Sequence, residues 1–546
     1  MMTVLIVMAV AGGVEGRKDG KTEGRNVGRS RAWLNADRPS VFPSFRPAKP
    51  PLVILIVVDQ LRPDYLVRYR AELTGGLARL TRRGVFYTNG LQDHAITQTA
   101  PGHATLLSGR PPASTNIITN DRGVGDTLAP LIGASGPGAS PRRFRGTALY
   151  DWMRAADPDA RVLSVSRKDR SAIAAVGRAR ADVYWYAGGQ FTTSTWYRTE
   201  LPPWVRGWNA RRGVQALAGT VWWPLRPVGS YPERDSMPYE NRGQRSVFPH
   251  TLPVDSAALI SAVTDSPWMD SLTLDLALEG VRALRLGQRG TTDLLVLGLS
   301  ATDDIGHRFG PDSREVHDQV LRLDAWLGWF FDSLGASVPP DGTIVALSAD
   351  HGVVTMPEYA AAVTHAPGGR ASSSGIVSGL RRDFEERLGA RFGFAFELGL
   401  ISGDVAALRA RGVDVDSLGD ALAVQLTARP EVARVYTPRT LRMAPATDRI
   451  AERWRRQLPH DHQWLVAAAL RDGWIWSGRW DAGHGTSQWL DVTVPIIIAA
   501  PGVRAGTFSR EVRTTDVAAT LARLIGVTPL EPLDGRPLRE VIEGGR

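Results

Sequence analysis

Cysteine is absent from the 546-residue sequence. Its absence excludes disulfides, thiol nucleophiles, iron–sulfur clusters and zinc sites built on thiolates. Any metal must therefore be bound by histidines and carboxylates. Hydrophobic residues make up 43% of the chain and charged residues 22%, which is typical of a globular protein with a sizeable core and too apolar for a disordered chain.

Lysine is nearly absent as well, because arginine supplies almost all the positive charge. The net charge is +9, but residues 1–50 hold nine Lys/Arg and four Asp/Glu, so the rest of the chain carries a surplus of only four. So small and diffuse a surplus argues against a nucleic-acid partner. Beyond residue 50, the single lysine is Lys168, which indicates a position where a compact ammonium group is needed.

The sequence also lacks a long apolar run. The run at residues 3–11 is too short to cross a bilayer, which takes about 20 apolar residues. Followed by two glycines, it predicts a signal peptide at 1–16, and hence a periplasmic or secreted protein with no stable membrane insertion. Residues 17–51 are rich in Gly, Arg and Pro without periodicity, which predicts a flexible basic lead-in. We expect the protein to be a monomer.

The body of the chain, residues 52–546, contains apolar runs of the kind found in strands buried on both faces of a parallel sheet. They lie at 52–58, 293–299, 343–348 and 494–500. The first three are each followed by an aspartate, namely Asp59, Asp303 and Asp350. Open α/β sheets bind ligands at the carboxyl ends of their strands, so we expect the three carboxylates at one edge.

Segments with helical periodicity between these runs predict an α/β fold, a three-layer αβα sandwich with a mostly parallel central sheet. Two intervals, at about 140–290 and 360–480, do not fit the alternation and are interpreted as insertions. The first holds eight of the 17 tryptophans, which suggests a Trp-rich cap over the sheet edge. The alternative is that these tryptophans fill the insertion's own core.

Three short motifs could bind metal. Asp303 and His307 are four residues apart, Asp350 and His351 are adjacent, and His484 lies between two glycines. Each motif alone also fits a turn or a hydrogen-bonded polar group. Together with Asp59 they supply three carboxylates and three imidazoles, enough ligands for two zinc-like ions.

The segment Thr-Gln-Thr-Ala-Pro-Gly-His at 97–103 could provide a nucleophile. A hydroxyl before Ala-Pro-Gly predicts a turn into a helix N-terminus, where backbone N–H groups favour an anion. A helix-capping threonine is the alternative, and composition alone does not distinguish Thr97 from Thr99.

The order and spacing of several motifs resemble those of the alkaline phosphatase superfamily. The chain is most similar to its type I phosphodiesterase/nucleotide pyrophosphatase-like branch and, within that branch, to the phosphate-irrepressible bacterial alkaline phosphatases with a threonine nucleophile. The resemblance extends from about residue 53 to 540. It is carried by Val-Asp-Gln-Leu-Arg at 58–62, the segment at 97–103, Ile-Thr-Asn at 118–120, Ser-Arg-Lys-Asp-Arg at 166–170, Thr-Asp-x-x-Gly-His-x-x-Gly-Pro at 302–311, Ser-Ala-Asp-His-Gly at 348–352 and Gly-His-Gly at 483–485.

The resemblance implies a hydrolase that cleaves small phosphate monoesters through a phosphothreonine intermediate at a site with two Zn²⁺ ions. Thr99 matches the nucleophile and Asn120 a donor to a phosphoryl oxygen. Lys168 and Arg170 match the pair that marks monoesterases. The implied zinc ligands are Asp303, His307 and His484 for one ion, and Asp59, Asp350, His351 and Thr99 for the other.

Other activities fit these residues less well. A phosphodiesterase or nucleotide pyrophosphatase would share the zinc ligands, Thr99 and Asn120 but would not need Lys168 and Arg170. A sulfatase usually matures its nucleophile from cysteine, which this sequence lacks. A membrane-bound phosphoethanolamine transferase needs transmembrane helices, and the sequence has no apolar run long enough for one. A metal-stabilised binding protein would not need every catalytic position intact.

Some polar residues near the motifs are expected to have supporting roles. Asp304 is predicted to support Asp303 or to cap a helix, and His103 to shape the turn that carries the nucleophile. The remaining histidines are interpreted as surface or local structure: His94, His250, His317, His365, His460 and His462.

Overall fold

The structure is a computed structural model that describes residues 50–376, 378, 379, 382, 394–478 and 482–544. The predicted signal peptide at 1–16 and nearly all of the lead-in at 17–51 lie outside the described residues. The strands are β1 (Leu52–Val58), β2 (Val85–Leu91), β3 (Val162–Ser166), β4 (Asp182–Ala187), β5 (Gln190–Thr192), β6 (Val221–Trp222), β7 (His250–Thr251), β8 (Asp293–Leu299), β9 (Thr343–Ser348), β10 (Gly369–Ala371), β11 (Ala395–Glu397), β12 (Leu400–Ser402), β13 (Val432–Tyr436), β14 (Val466–Leu470), β15 (Trp474–Trp476), β16 (Thr493–Ala499), β17 (Gly506–Phe508) and β18 (Val512–Arg513).

The helices are identified by their residue ranges. The α-helices are Pro63–Arg68, Gly76–Arg83, Thr99–Ser108, Pro112–Thr115, Leu149–Ala156, Asp169–Ala174, Pro203–Arg211, Ser256–Thr264, Trp268–Leu284, Ala301–Phe309, Arg314–Gly335, Pro357–Tyr359, Val405–Ala410, Val415–Thr427, Pro438–Met443, Arg449–Gln457, Trp489–Val492, Thr515–Ile525 and Arg539–Ile542. Short 3₁₀ turns lie at Val214–Leu217, Val228–Ser230, Glu240–Gly243 and Pro340–Gly342, and a π turn at Ala360–Thr364.

Within the part of the chain that the structure describes, ten strands form the central sheet, in the order β17-β2-β16-β9-β1-β8-β3-β4-β5, with β18 also paired to β2. The run from β9 through β1, β8 and β3 to β4 is parallel throughout. Antiparallel pairing occurs where β16 joins β9 and β2, and where β5 joins β4. The predicted α/β fold with a mostly parallel sheet is confirmed.

Strand β1 explains why this sheet is covered on both faces. All seven of its residues are fully buried, and alternate side chains enter different cores. Leu52 and Ile54 share one core with residues of the helices Trp268–Leu284 and Arg314–Gly335. Val53 and Leu55 share the other with residues of Leu149–Ala156 and Thr515–Ile525. A continuous apolar run is what a strand between two helical layers requires.

The structure corrects the interpretation of residues 140–290 as one insertion. Strands β3, β4 and β5 lie in this interval, yet they belong to the central sheet. Strand β3 reads Val-Leu-Ser-Val-Ser, so two serines interrupt the apolar run that would have revealed it. The described residues of the interval at about 360–480 include a second sheet, of order β11-β12-β14-β13, and a core that contains Ile401, Leu422 and Val466.

The tryptophans of the first interval mostly pack into the main core instead of forming a cap over the sheet edge. Trp208 and Trp222 are buried in the same core as Leu52. Their indole Nε1 atoms donate to Asp275 at 2.9 Å and to Asp318 at 2.6 Å. Trp223, in contrast, is 61% exposed. Indole groups combine a large apolar surface with one donor that needs a partner when buried, and both needs are met here.

Among the residues that the structure describes, no helix combines the length and the apolar character that crossing a membrane would require.

The buried carboxyl group of Glu240 makes the stability of the protein sensitive to alkaline pH. It is only 2% exposed, and its Oε2 atom has no hydrogen-bond partner among the described residues. Burial, with the nearby carboxylates of Glu315 and Asp235, raises the pKa of Glu240 to about 9. Because the pKa of Glu240 is higher in the folded chain than in the unfolded chain, protonation of this side chain favours the folded state. This contribution to the free energy of unfolding is fully present at low pH and is lost as the pH rises through about 9.

We therefore expect Glu240→Gln to reduce the fall in melting temperature between about pH 7 and pH 10, since glutamine does not ionise. The matched control is Glu200→Gln, because the Glu200 side chain is 80% exposed. Thermal melting of the three proteins across this range checks the prediction. Equal pH dependence in wild type and Glu240→Gln would contradict it.

Candidate metal centre and nucleophile

Three carboxylates meet at one edge of the central sheet. Asp59 directly follows β1, Asp350 comes two residues after β9, and Asp303 lies in the first turn of the helix Ala301–Phe309 after β8. Strand β1 lies between β9 and β8 and is parallel to both, so the carboxyl ends of all three strands lie at the same edge of the sheet. The three aspartates are at most 3% exposed.

Three imidazoles face one oxygen of this cluster. The Nε2 atoms of His307, His484 and His351 lie 3.3, 3.6 and 4.0 Å from Asp303 Oδ1. His307 is one helical turn after Asp303, whereas His351 and His484 come from loops far apart in the sequence. His351 Nε2 also lies 3.2 Å from Asp350 Oδ2, so it stands between two carboxylates.

The opposite ring nitrogens determine how these imidazoles are protonated. Each Nδ1 lies against a backbone carbonyl oxygen: Ala482 for His307 at 2.8 Å, Gly352 for His351 at 3.0 Å and Thr97 for His484 at 2.6 Å. A carbonyl oxygen can only accept, so Nδ1 is the donor and the Nε2 lone pair of the neutral ring faces the carboxylates. Metal-binding histidines are commonly oriented in this way.

Burial keeps two of these rings neutral. It lowers the pKa of His351 to about 4. Burial, with the neighbouring His351, holds the pKa of His484 well below its ordinary value. Neutral imidazoles are the form that binds metal.

The donor atoms fall into two groups, each with its members within 4.8 Å of one another. One is Asp303, His351 and His484, and the other is Asp59, His103 and Asp350. The resemblance implied His307 in the first group and His351 in the second; in the structure His307 approaches Asp303, and His351 lies near both. His103 was expected to shape the nucleophile turn, and its Nδ1 does donate to Thr99 O at 3.0 Å. Its Nε2 nevertheless lies 3.4 Å from Asp59 Oδ1.

The residues fit divalent metal ions. Asp350 Oδ2, His351 Nε2 and His103 Nε2 are buried and have no hydrogen bond within the described parts of the chain. Burial and the Asp59 carboxylate raise the pKa of Asp350 well above its ordinary value, which reflects the cost of gathering negative charge in a dry site. Carboxylates with neutral imidazoles form a nitrogen and oxygen donor set that suits zinc and similar ions.

Lys168 lies inside the carboxylate cluster. It is 3% exposed, and its Nζ atom is 2.9 Å from Asp59 Oδ2 and in direct contact with Asp303 Oδ2. Burial alone would lower the pKa of Lys168, but Asp303 and Asp59 outweigh burial and raise it. An ammonium group has three protons to donate, so two carboxylate contacts leave one proton for a ligand.

The helix Thr99–Ser108 is held against the same cluster. A Cβ atom on Gly102 would come within 2.1 Å of Asp350 O, so only glycine permits this approach. Thr99, at the start of the helix, is 1% exposed. The Thr97 hydroxyl is engaged elsewhere, because it donates to Thr486 O at 3.0 Å and accepts from Gly485 N at 3.2 Å. Thr97 thus holds the His484 loop, and of the two hydroxyls the one at the helix N-terminus belongs to Thr99.

Asn120 lies beside this helix N-terminus. Its Oδ1 accepts from Ala100 N at 2.9 Å, and its own backbone N–H donates to Gln98 Oε1 at 2.9 Å. Once Oδ1 is fixed as the acceptor, the Nδ2 amide is the atom left to donate. The Asn120 amide is therefore held against the first turn of this helix, with Nδ2 as its donor.

Arg170 and Asp304 lie at the margin of the cluster. Arg170 contributes to the electrostatic environment of His103 and Lys168. Asp304 Oδ2 lies 3.5 Å from Arg167 Nε, so Asp304 pairs with an arginine next to Lys168. The predicted support of Asp303 or capping of a helix by Asp304 stays a prediction.

Sequence reasoning missed three buried residues that organise the site. Gln60 donates to Asp303 and Asp350. Asp491 joins two loops, because it accepts from Thr486 N at 2.8 Å and from Val354 N at 2.9 Å. Gln92 donates to the carbonyls of Gly102 and Ala349. The only sequence signal for Gln60 was its place directly after Asp59, and the other two lie a few residues outside the motifs at 97–103 and 483–485.

Of the histidines outside the motifs, two have carboxylate partners. His94 and His317 are buried, and His317 lies between Glu233 and Glu72 at 2.9 and 3.3 Å. His250 pairs with Glu315 at 2.8 Å. These contacts are structural and lie outside the two ligand groups.

Comparison with known proteins places the chain in a family. Residues 53–367 match the family model described as type I phosphodiesterase/nucleotide pyrophosphatase. The chain is 29% identical to the alkaline phosphatase PhoV of Synechococcus elongatus, across 93% of this chain and 95% of the relative. It is 31% identical to the alkaline phosphatase PhoK of a Sphingomonas species, across 90% of this chain and 91% of the relative.

A solved structure agrees with these matches. The crystal structure of wild-type alkaline phosphatase PafA superposes with a TM-score of 0.85 at 27% identity, and the match covers 90% of this chain and 99% of that one. The family model matches more than half of this chain, so the chain belongs to the type I phosphodiesterase/nucleotide pyrophosphatase family.

Proposed function

We propose that this protein is an alkaline phosphatase that hydrolyses small phosphate monoesters through a phosphothreonine intermediate on Thr99, at a site with two zinc ions. The observation that carries the proposal is the juxtaposition of Thr99, two groups of metal-ligand type and a buried lysine at one sheet edge. Relatives that match nearly the whole chain are alkaline phosphatases, which supports phosphate monoesters as the substrates.

The metals would be held by Asp303, His307 and His484 on one side and by Asp59, Asp350 and His351 on the other. When bound, such ions would favour deprotonation of hydroxyl groups and offset negative charge on oxygen atoms during the reaction. His103 supports the second group through Asp59.

The protein's own residues account for the covalent steps. Thr99 Oγ1 attacks phosphorus in line, and the bond from phosphorus to the alcohol oxygen breaks as the phosphothreonine forms. The proton that the Thr99 hydroxyl gives up is balanced by the one that the leaving alcohol takes up. Water then cleaves the phosphothreonine and releases inorganic phosphate, which restores the Thr99 hydroxyl. The positive end of the helix Thr99–Ser108 lies at Thr99 and favours the negative charge of the phosphoryl group.

Monoester preference follows from charge. A monoester dianion carries one more negative charge than a diester, so extra cations favour it. Asn120 Nδ2 and the third proton of Lys168 Nζ can donate to the nonbridging oxygens, where charge accumulates. Arg170 adds a second cation near the same position. A phosphodiesterase, the alternative within this family, would not need either cation.

The proposed place of action is the periplasm or the cell exterior, as the apolar run at residues 3–11 indicates. Export would also keep a broad phosphatase away from cytosolic metabolites.

Metal removal provides the first test. Dialysis against a chelator should lower kcat/KM for an aryl phosphate monoester by about 1,000-fold, because several kcal/mol of charge stabilisation are lost. Two equivalents of Zn²⁺ per chain should restore activity, whereas Mg²⁺ at the same concentration should not. Activity assays with elemental analysis check this, and full activity in protein shown to be metal-free would refute the metal assignment.

The nucleophile can be tested by trapping. Thr99→Ala should lower kcat by at least about 1,000-fold and abolish covalent phosphate labelling after acid quench, since no hydroxyl remains to accept the phosphoryl group. Thr99→Ser should retain labelling. Thr97→Ala is the matched control, because Thr97 carries a hydroxyl two residues away; it should still be labelled. Covalent labelling of Thr99→Ala would show that a residue other than Thr99 is the nucleophile.

Substrate class is tested at Lys168. Lys168→Ala should lower kcat/KM for an aryl monoester by about 10-fold to 100-fold and change that for the matched diester far less, because a charge-assisted hydrogen bond to the dianion is lost. Arg178→Ala removes an exposed cation near the same helix and should change neither rate. An equal fall for both substrates would mean that Lys168 acts only on the carboxylates, and a wild-type preference for the diester would favour the phosphodiesterase reading.

A further inference from the structure

Gln60 has an unusual backbone conformation in the centre of the site. It is 1% exposed and directly follows Asp59. Its φ angle is +65°, in the left-handed region that residues other than glycine and asparagine seldom adopt. Such a conformation persists only where surrounding contacts over-determine it, and it is concentrated at functional sites.

Two hydrogen bonds explain what the conformation achieves. The backbone N–H of Gln60 donates to Asp350 Oδ1 at 3.1 Å, and its side-chain Nε2 donates to Asp303 Oδ1 at 2.7 Å. Asp303 and Asp350 belong to different ligand groups. One residue therefore orients a carboxylate of each group.

The neighbouring helix is shaped to admit this side chain. A Cβ atom on Gly306 would lie 2.0 Å from Gln60 Oε1, and the three nearest atoms outside its own stretch of helix all belong to the Gln60 side chain. Gly306 lies between Asp303 and His307 in the helix Ala301–Phe309, where its backbone is helical and does not require glycine. Glycine weakens a helix relative to alanine, so its presence is explained by the space that Gln60 occupies.

We propose that Gln60 is a positioning residue for the two-metal site, which sets the orientation of Asp303 through its side-chain amide and that of Asp350 through its backbone N–H. A carboxylate oxygen has two lone pairs, so Asp303 Oδ1 can accept from Gln60 and still face a metal. This inference rests on the proposed function for the existence of the metals. It adds a determinant of metal affinity that lies outside the ligands themselves.

Gln60→Gly separates the side chain from the backbone. Glycine adopts a φ of +65° readily, so the N–H donor to Asp350 is retained and only the amide donor to Asp303 is lost. We expect the Zn²⁺ affinity of the metal-free protein, measured by competition with a chromophoric chelator, to fall about 10-fold to 100-fold. The melting temperature of the metal-free protein should stay unchanged or rise, because the strained conformation is relieved.

Gly306→Ala tests the same contact from the other side. The new methyl group should displace the Gln60 amide and lower Zn²⁺ affinity by a similar factor. In the double variant, Gln60→Gly with Gly306→Ala, the displaced group is already absent, so the affinity should equal that of Gln60→Gly alone. Gly207→Ala is the matched control, because Gly207 is also helical and a Cβ there meets only the Arg211 guanidinium, at 3.1 Å.

The outcomes separate this inference from the function on which it rests. Failure of the wild-type protein to bind Zn²⁺ would overturn both. Wild-type binding with unchanged affinity in Gln60→Gly and Gly306→Ala would overturn the inference and leave the proposed function intact. A lowered melting temperature of metal-free Gln60→Gly, with affinity lost only in proportion to unfolding, would assign Gln60 a structural role and also overturn it.

Discussion

The gathering of three buried carboxylates at one sheet edge is the constraint on which the rest of the site depends. Parallel pairing of β9, β1 and β8 brings Asp59, Asp303 and Asp350 together, and their mutual repulsion in a dry environment is severe. Lys168 offsets part of that charge. Neutral histidines with lone pairs facing inward supply donors that do not add to the repulsion, and divalent cations would offset the remainder.

Layers of support surround this cluster. Backbone carbonyls of Ala482, Gly352 and Thr97 hold the imidazoles, and Asp491 ties the loop after His484 to the loop after His351. Gln60 donates to one carboxylate of each ligand group. A displacement of about 1 Å would take a ligand atom out of reach of its metal, so metal and phosphoryl chemistry require that the surrounding residues hold the ligands rigidly. The long sequence separation of these contacts makes the site a product of the whole fold.

The sequence predicted the parts of the fold that local pattern encodes. The runs at 52–58, 293–299 and 343–348 are the strands β1, β8 and β9, because burial on both faces leaves a continuous apolar signature. Strand β3 is short and interrupted by serines, so it carries no such signature, and the sequence pattern does not predict that part of residues 140–290 belongs to the central sheet. The prediction of a Trp-rich cap was wrong for a similar reason: composition indicates that aromatic side chains are buried, but not in which part of the fold.

The sequence by itself determined the chemistry of this protein: a cysteine-free set of aspartates and histidines, a threonine before Ala-Pro-Gly-His and one lysine in the body, in an order that resembles a single family. Only the tertiary structure decided how these groups meet. It placed Lys168 against Asp59 and Asp303, engaged the Thr97 hydroxyl with the His484 loop and set Gln60 across both ligand groups. Residue types are local properties, whereas these contacts join positions that lie up to several hundred residues apart and exist only once the sheet has formed.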